Sequence, residues 1–199
     1  MAVRLTREQS AAHTRQRLLA AARRVFAERG FYGASLEAVA EEAGLTKGAV
    51  YSRFDSKADL FLAFQEERNE QTVKRMIDEL AALEPGEQPL LWLAGYWKNR
   101  LLNEGPELTL AVIEFWVSAY RDPELQRRFS EQHERVAETT GGALEDASAR
   151  LGCPLPMPGP ETIRMTAGIA HGLALEQLLN RTKIDERLID TAFAAVTRR

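Results

Sequence analysis

The stretch from Ser35 to Lys57 constrains the fold most, because its pattern predicts two short helices joined by a tight turn. Ser35 can cap the first helix, since its side-chain oxygen can accept from free N–H groups at a helix start. Gly44 follows the apolar face of that helix and tolerates the left-handed conformation with which many helices end. Thr46 can cap the second helix, which is predicted to run from Lys47 to Phe54. The stretch therefore predicts a helix-turn-helix.

The second of these helices has the features of a helix that reads DNA. Val50 and Phe54 are spaced to face inward, whereas six residues are left outward or at the edges: Lys47, Gly48, Ala49, Tyr51, Ser52 and Arg53. Small residues at its start would let this end sit deep in a major groove, which is about 12 Å wide. Capped helices joined through glycine also occur in all-α proteins of other function. The combination with a further helix opening at Asp55-Ser56-Lys57 favours DNA binding.

The charge distribution agrees with this interpretation, although the net charge of −3 does not. Up to Lys57 the chain has ten Lys and Arg against six Asp and Glu, whereas the remainder has an excess of seven acidic residues. Phosphate contacts supply most non-specific affinity for DNA, so the local excess matters more than the sum. We expect a basic module on an acidic body.

The segment from Leu18 to Phe64, LLAAARRVFAERGFYGASLEAVAEEAGLTKGAVYSRFDSKADLFLAF, resembles the N-terminal DNA-binding domain of TetR-family transcriptional regulators. The resemblance covers about a quarter of the chain. It implies an all-α dimer with three N-terminal helices for DNA and about six more for ligand binding and dimerisation. It also implies the roles of the DNA-binding residues. Lys47, Gly48 and Ala49 would lie against base edges, with Ser52 and Arg53 as further groove-facing polar residues, and Ser35, Thr46, Tyr51 and Lys57 would contact the phosphate backbone.

The helices of the remaining chain are predicted from periodicity and from glycine and proline signals. The first helix of the chain is expected from Thr6 to Arg29, ahead of the helix-turn-helix. The other predicted helices are Ser56 to Leu83, Gln88 to Asn103, Glu107 to Tyr120, Asp122 to Leu151 with a kink or break at Gly141-Gly142, Glu161 to Leu179, and Asp185 to Val196. The helices at Gln88 and Glu107 are apolar nearly all round, which predicts burial inside a bundle. We expect a DNA-binding domain at 1–55 and a ligand-binding and dimerisation domain at 56–199.

Aromatic residues on two adjacent helices favour a small-molecule pocket, although ordinary core packing explains any one of them equally well. A few polar residues among them, namely Glu114, His133 and His171, could anchor a ligand. The predicted ligand-binding residues are Phe64, Trp92, Tyr96, Trp97, Glu114, Trp116, Tyr120, His133 and His171.

Two apolar faces on the helix from Glu161 to Leu179 predict a homodimer, since a surface helix needs only one. With the last helix it would form the interface, at about 161–180 and 185–197, and the paired heads would read a pseudo-palindromic operator.

The sequence does not indicate an enzyme, a cofactor or a metal site. The histidines are far apart, Cys153 has no second cysteine, and glycine-rich phosphate loops and nucleophile motifs are missing. Without a signal peptide or a long apolar run, the chain is expected to be cytoplasmic. We expect a homodimeric repressor released from its operator by a hydrophobic or amphipathic small molecule. A ligand-responsive activator, or a helical binding protein or enzyme without a DNA role, are the alternatives.

Overall fold

The computed structural model describes residues 6–103, 106–180 and 184–197, and these residues form α-helices and connecting turns without a β-strand. This confirms the predicted all-α fold. Within these residues the helices are α1 (Arg7–Gly33), α2 (Leu36–Glu42), α3 (Lys47–Tyr51), α4 (Lys57–Ala81), α5 (Pro89–Asn103), α6 (Glu107–Ala119), α7 (Pro123–Arg150), α8 (Gly159–Leu179) and α9 (Glu186–Thr197).

Most helix starts are where the local signals predict them. Thr6 forms a capping box with Gln9 at the start of α1. Ser56 and Asp59 hydrogen-bond each other at the start of α4, and Asp122 accepts from two backbone N–H groups at the start of α7. The predicted end of the first helix at Arg29 corresponds to Gly30, whose φ of 67° interrupts the helical conformation within α1. Side-chain oxygens and glycine thus set these boundaries locally.

The chain divides into two compact units. The head unit consists of the described residues up to Glu67 together with Leu110–Gln126, and the body unit consists of the described residues of Arg68–Thr109 and from Arg127 onward. Most of α6 therefore belongs to the head unit. The predicted functional boundary at residue 55 stays a prediction.

Phenylalanine rings form the centre of the head unit. Phe26, Phe31, Phe61 and Phe115 are all buried, and the rings of Phe61 and Phe115 stack with centroids 4.4 Å apart. Phe31 packs edge-to-face on both of them, at 5.3 Å and 5.1 Å. Such pairs add about 0.5–1.5 kcal/mol each to the area they bury. The aromatic contacts hold α1, α4 and α6 together beneath the helix-turn-helix.

The expectation that the helices at Gln88 and Glu107 are buried all round is wrong. Leu91 and Leu102 of α5 and Val117 of α6 are exposed, whereas the opposite faces supply buried residues such as Leu93 and Phe115. The reason is that each of these helices packs through one side only within its unit. Neither helix is central to a bundle formed by the described residues of its own unit.

The predicted break at Gly141-Gly142 is also wrong, because α7 runs through both glycines without interruption. A Cβ added at Gly141 would lie 2.3 Å from the backbone nitrogen of Pro160, and one added at Gly159 would lie 2.2 Å from the Gly141 carbonyl oxygen. The missing side chains let the start of α8 cross α7 in backbone contact. Glu145 of α7 accepts a hydrogen bond from the Gly159 N–H at 2.5 Å and fixes this crossing.

A stripe of small and apolar residues on α8 remains uncovered within the body unit. A Cβ added at Gly168 or Gly172 would meet no described atom within 4 Å, and Leu175 and Leu179 are 40% and 82% exposed. Ile169 and Leu173 of the same helix pack against the core of the body unit. In the part of the chain that the structure describes, no helix is long and apolar enough to cross a membrane.

Candidate nucleic-acid interface

The turn between α2 and α3 is built as the sequence predicts. The Ser35 hydroxyl accepts from the Ala38 N–H at 3.1 Å and starts α2. Gly44 has a φ of 62°, and the Leu45 N–H returns to the Ala40 carbonyl at 2.8 Å. The helix-turn-helix therefore has a capped beginning and a glycine-dependent turn.

Arg17 of α1 braces this turn from outside. Its guanidinium donates to the Ala43 carbonyl at 2.7 Å and reaches the Gly44 carbonyl at 3.4 Å. The Ala43 carbonyl is at the C-cap of α2, and a cation is favoured at a helix C-terminus. Arg17 thus ties α1 to the turn that joins α2 and α3.

The second helix, α3, is shorter than predicted and is capped by Thr46, whose hydroxyl accepts from the Ala49 N–H at 3.3 Å. Val50 and Phe54 are buried, as their spacing predicts. The remaining predicted DNA-binding positions of this helix and its end lie on one surface: Lys47, Gly48, Tyr51, Ser52 and Arg53 are exposed, and Ala49 is half-buried. The structure therefore brings these residues together on one accessible face.

Tyr51 is held by a carboxylate of the preceding helix. Its hydroxyl donates to Glu37 at 2.7 Å across the helix-turn-helix. This hydrogen bond lowers the pKa of Glu37 and raises the pKa of Tyr51. Since the hydroxyl has one hydrogen, Tyr51 can donate to a phosphate only after it leaves Glu37.

Arg53 folds back on the end of α3. Its guanidinium donates to the Ala49 carbonyl at 3.0 Å and to the Ser52 hydroxyl at 3.1 Å, and the Ser52 hydroxyl donates to the same carbonyl. Arg53 and Ser52 can donate to a base edge only after they break these hydrogen bonds at the end of α3.

Lys57 is a structural clamp in addition to any phosphate contact. Its ammonium donates to the carbonyls of Tyr32 and Ala34, at 3.1 Å and 2.9 Å, and lies 4.7 Å from the centre of the Phe31 ring. Burial lowers the pKa of Lys57, and the charge of Glu114 opposes that shift. The third ammonium proton is the one that the predicted phosphate contact would use.

Glu114 of α6 holds the other side of the same segment. Its carboxylate accepts from the Phe31 N–H at 2.6 Å and from the Tyr32 N–H at 3.2 Å. A Cβ at Gly30 would lie only 2.5 Å from this carboxylate. Glu114 is thus bound to the head-unit backbone, and its predicted role as a ligand anchor stays a prediction.

Sequence reasoning missed Arg17, Glu37 and Glu114 as residues that shape the site. Glu37 and Tyr51 lie on different helices, so the periodicity of a single helix does not predict their contact. Glu114 contacts α1 across 82 to 83 residues of chain. Gly30 indicated part of this arrangement, because a left-handed residue interrupts the helix and leaves nearby N–H groups that need an acceptor.

The predicted ligand-binding residues are divided between the two units. Phe64, Trp116 and Tyr120 belong to the head unit with Glu114, and Tyr120 is 77% exposed. The remaining five belong to the body unit: Trp92, Tyr96, Trp97, His133 and His171. Ring contacts join Trp92 to Tyr96, Tyr96 to Trp97, and Trp97 to His171.

Two family models match this sequence. The one described as "Bacterial regulatory proteins, tetR family" matches residues 18–64, and the one described as "Tetracyclin repressor-like, C-terminal domain" matches residues 93–199. The second match alone spans more than half of the chain. The segment between the matches, 65–92, contains most of α4 and the start of α5.

Individual relatives agree with the family models. The chain is 31% identical to the HTH-type transcriptional regulator CymR of Pseudomonas putida over 72% of this chain and 67% of that protein. It is 42% identical to the HTH-type transcriptional repressor AcnR of Corynebacterium glutamicum over 28% of this chain and 29% of that protein. The solved structure of GusR from Salmonella enterica has the same fold, with a TM-score of 0.69, 20% identity, and coverage of 97% and 96% of the two chains.

Proposed function

The chain belongs to the TetR family of helix-turn-helix transcriptional regulators, and on that premise we propose that it is a homodimeric repressor. It binds a pseudo-palindromic operator and is released by a hydrophobic or amphipathic small molecule. As a member of this family it is a DNA-binding regulator and not an enzyme. We place it in the cytoplasm, where operator DNA is found in bacteria.

The exposed face of α3 carries the proposal. Lys47 and Gly48 lie on this face at the start of the helix, and a Cβ at Gly48 would approach nothing closer than the Thr46 hydroxyl at 3.9 Å. This leaves room for a groove wall beside the helix backbone. Lys47 supplies a donor for base edges, and Tyr51 and Lys57 supply donors for phosphates.

A dimer is supported by the uncovered stripe on α8. Gly168 and Gly172 would allow a second helix to approach closely, and Leu175 and Leu179 would be buried in the contact. A single recognition helix reads few bases, whereas two heads about 34–36 Å apart read two half-sites.

Release by a small molecule is supported by the aromatic and polar cluster of the body unit. Repression is supported by a relative whose name states it, the transcriptional repressor AcnR. The coupling required is typically about 1–3 kcal/mol, or roughly 5–150-fold in operator affinity.

DNA recognition is tested by selecting bound sequences from a random pool with the full-length protein, then measuring operator affinity at several salt concentrations. Lys47→Ala should weaken binding and relax base preference. Tyr51→Phe should weaken binding and leave base preference as it is, because it removes a phosphate contact. Glu28→Gln, an exposed position on α1, is the control. Unchanged affinity and salt dependence in both variants would contradict the assignment of these residues.

Release is tested by measuring operator affinity with and without a broad panel of small molecules. Equal affinity throughout would contradict ligand release and leave DNA binding intact. A ligand that tightens operator binding would favour the activator alternative, which otherwise lacks specific support in the described residues.

A further inference from the structure

Trp97 has a buried hydrogen-bond donor without an acceptor in the part of the chain that the structure describes. The residue is 9% exposed, and its indole nitrogen has no hydrogen-bond partner among residues 6–103, 106–180 and 184–197. Nearly all buried polar groups in proteins are paired, so an orphaned indole N–H needs an explanation. A ligand that supplies the acceptor would provide one.

A cation lies beside the same indole. The guanidinium carbon of Arg100 is 5.8 Å from the centre of the Trp97 ring, and the guanidinium donates to the Tyr96 hydroxyl at 3.3 Å. Arg100 is one helical turn from Tyr96 on α5, so the guanidinium and the Tyr96 hydroxyl lie on the same face of this helix. A group that accepts from Trp97 is therefore also in reach of a positive charge.

His171 of α8 lies across from this pair, with its ring centroid 6.5 Å from that of Trp97. Burial, followed by the positive charges of Arg100 and His133, lowers the pKa of His171 to about 4. The imidazole is neutral at pH 7 and offers one donor and one acceptor. The charge of Arg100 thus acts on His171 as well as on the Trp97 ring.

Apolar surface adjoins these polar groups. The rings of Trp92 and Tyr96 stack with centroids 5.9 Å apart, and Ile169 and Leu173 of α8 pack against the same core. Small-molecule sites typically combine an aromatic and aliphatic lining with a small number of polar groups that converge on the ligand.

We propose that Trp97, Arg100 and His171 anchor an effector that carries a carboxylate on an apolar or aromatic body. The carboxylate accepts from the Trp97 indole N–H and pairs with Arg100, and the body lies against Trp92 and Tyr96. One guanidinium and one indole N–H suit a monoanion better than a phosphate dianion. The site rests on the proposed ligand-released repressor, since it names the chemistry of that effector.

The test uses the full-length protein with isotope-labelled indole nitrogens and paired probes. Cinnamate is compared with cinnamyl alcohol, decanoate with decanol, and phenyl phosphate serves as the dianion. The Trp97 signal is assigned with Trp97→Phe, or by elimination with Trp92→Phe and Trp116→Phe if the first variant does not fold. We expect the carboxylates to bind and to move the Trp97 N–H resonance downfield, and the alcohols to leave it in place.

Arg100→Gln should weaken carboxylate binding by about tenfold or more, since it removes a charge-assisted hydrogen bond. Lys98→Gln is the matched control, because Lys98 is a cation of the same helix that pairs with Glu186 and Asp190. It should change carboxylate affinity by less than about twofold. Equal losses in both variants, or alcohols or phenyl phosphate that bind as tightly as the carboxylates, would overturn the inference.

Operator affinity measured with the same probes separates this inference from the proposed function. Release by neutral molecules with an unmoved Trp97 signal would overturn the carboxylate site and leave the ligand-released repressor in place. Carboxylate binding at Trp97 without operator release would support the site and contradict its role in release.

Discussion

Glu114 is 83 residues from Phe31 along the chain, yet its carboxylate accepts hydrogen bonds from Phe31 and from the next N–H group. With Lys57 on the adjacent carbonyls, it satisfies the backbone that the left-handed Gly30 exposes. At the scale of single residues, a charged side chain from a distant helix thus completes the joint between α1 and the helix-turn-helix.

Removing the Glu114 carboxylate should destabilise the protein. Glu114→Ala leaves two N–H groups without an acceptor and Lys57 without its nearby negative charge, so we expect a loss of about 2–3 kcal/mol in the free energy of unfolding. Glu114→Gln retains an acceptor oxygen and should lose about half as much. Urea unfolding measures both, with Glu28→Gln as the control at an exposed position. A loss in Glu114→Ala no larger than in the control would refute the clamp.

Glu37→Gln should tighten operator binding several-fold. The substitution removes a negative charge that would face phosphates and weakens the bond that holds the Tyr51 hydroxyl. Titration of operator DNA into each protein measures the change. If the effect depends on Tyr51, it should shrink in the Tyr51→Phe background, and equal effects in both backgrounds would leave only the charge contribution.

His171 should make stability fall with acid. Its folded pKa of about 4 lies below the ordinary value of 6.5, so between these pH values the unfolded chain binds a proton that the folded protein does not. Stability is therefore lost as pH falls from about 6.5 to about 4, by up to about 3 kcal/mol. His171→Gln should flatten this part of the unfolding profile, whereas His13→Gln, at an exposed position, should not. A profile of the same slope in His171→Gln would show that other groups cause it.

At the scale of elements, close packing between α7 and α8 explains a pair of glycines that local propensity cannot. Helix propensity treats Gly141 and Gly142 alike, at about 1 kcal/mol each relative to alanine. In the structure a Cβ at Gly141 would meet the α8 backbone at 2.3 Å, whereas one at Gly142 would meet no described atom within 4 Å. The two positions therefore have opposite expected responses to the same substitution.

Gly141→Ala should destabilise the protein by about 2–3 kcal/mol, because two backbones must separate. Gly142→Ala should stabilise it by up to about 1 kcal/mol, since alanine is the better helix former. Thermal and urea unfolding of both variants measure the difference. Similar values for the two variants would mean that α7 and α8 do not cross in backbone contact.

At the scale of the whole molecule, the basic excess before Lys57 and the uncovered stripe of α8 both point to a paired DNA reader. The segment up to Lys57, with its local net charge of +4, has limited affinity for DNA by itself. Two heads in one dimer add their phosphate contacts, so dimerisation and DNA affinity should change together.

Leu175→Glu should convert the dimer to a monomer and lower operator affinity about hundredfold, because it places a charge in the proposed contact. Light scattering with size-exclusion chromatography measures the mass, and operator titration measures the affinity. Leu91→Glu is the control, at another exposed leucine, which lies on α5. A monomeric parent protein, or a Leu175→Glu variant that stays dimeric, would contradict an interface on this stripe.

The all-α fold, most helix boundaries and the helix-turn-helix follow from local sequence signals, because caps, left-handed glycines and apolar periodicity act between residues a few positions apart. Ser35, Gly44 and Thr46 are examples, since each acts within about five residues. The DNA-binding residues were accessible to sequence reasoning for the same reason, although their roles stay predictions.

The contacts between distant groups become known only from the folded structure. It placed Arg17 on the end of α2, Glu114 on α1, and the Pro160 backbone on Gly141. It also divided the predicted aromatic ligand residues between two units and, among the described residues, left the Trp97 indole N–H without an acceptor. Such contacts depend on how helix faces pack, and packing is set by shape and burial across the whole chain rather than by neighbours in sequence.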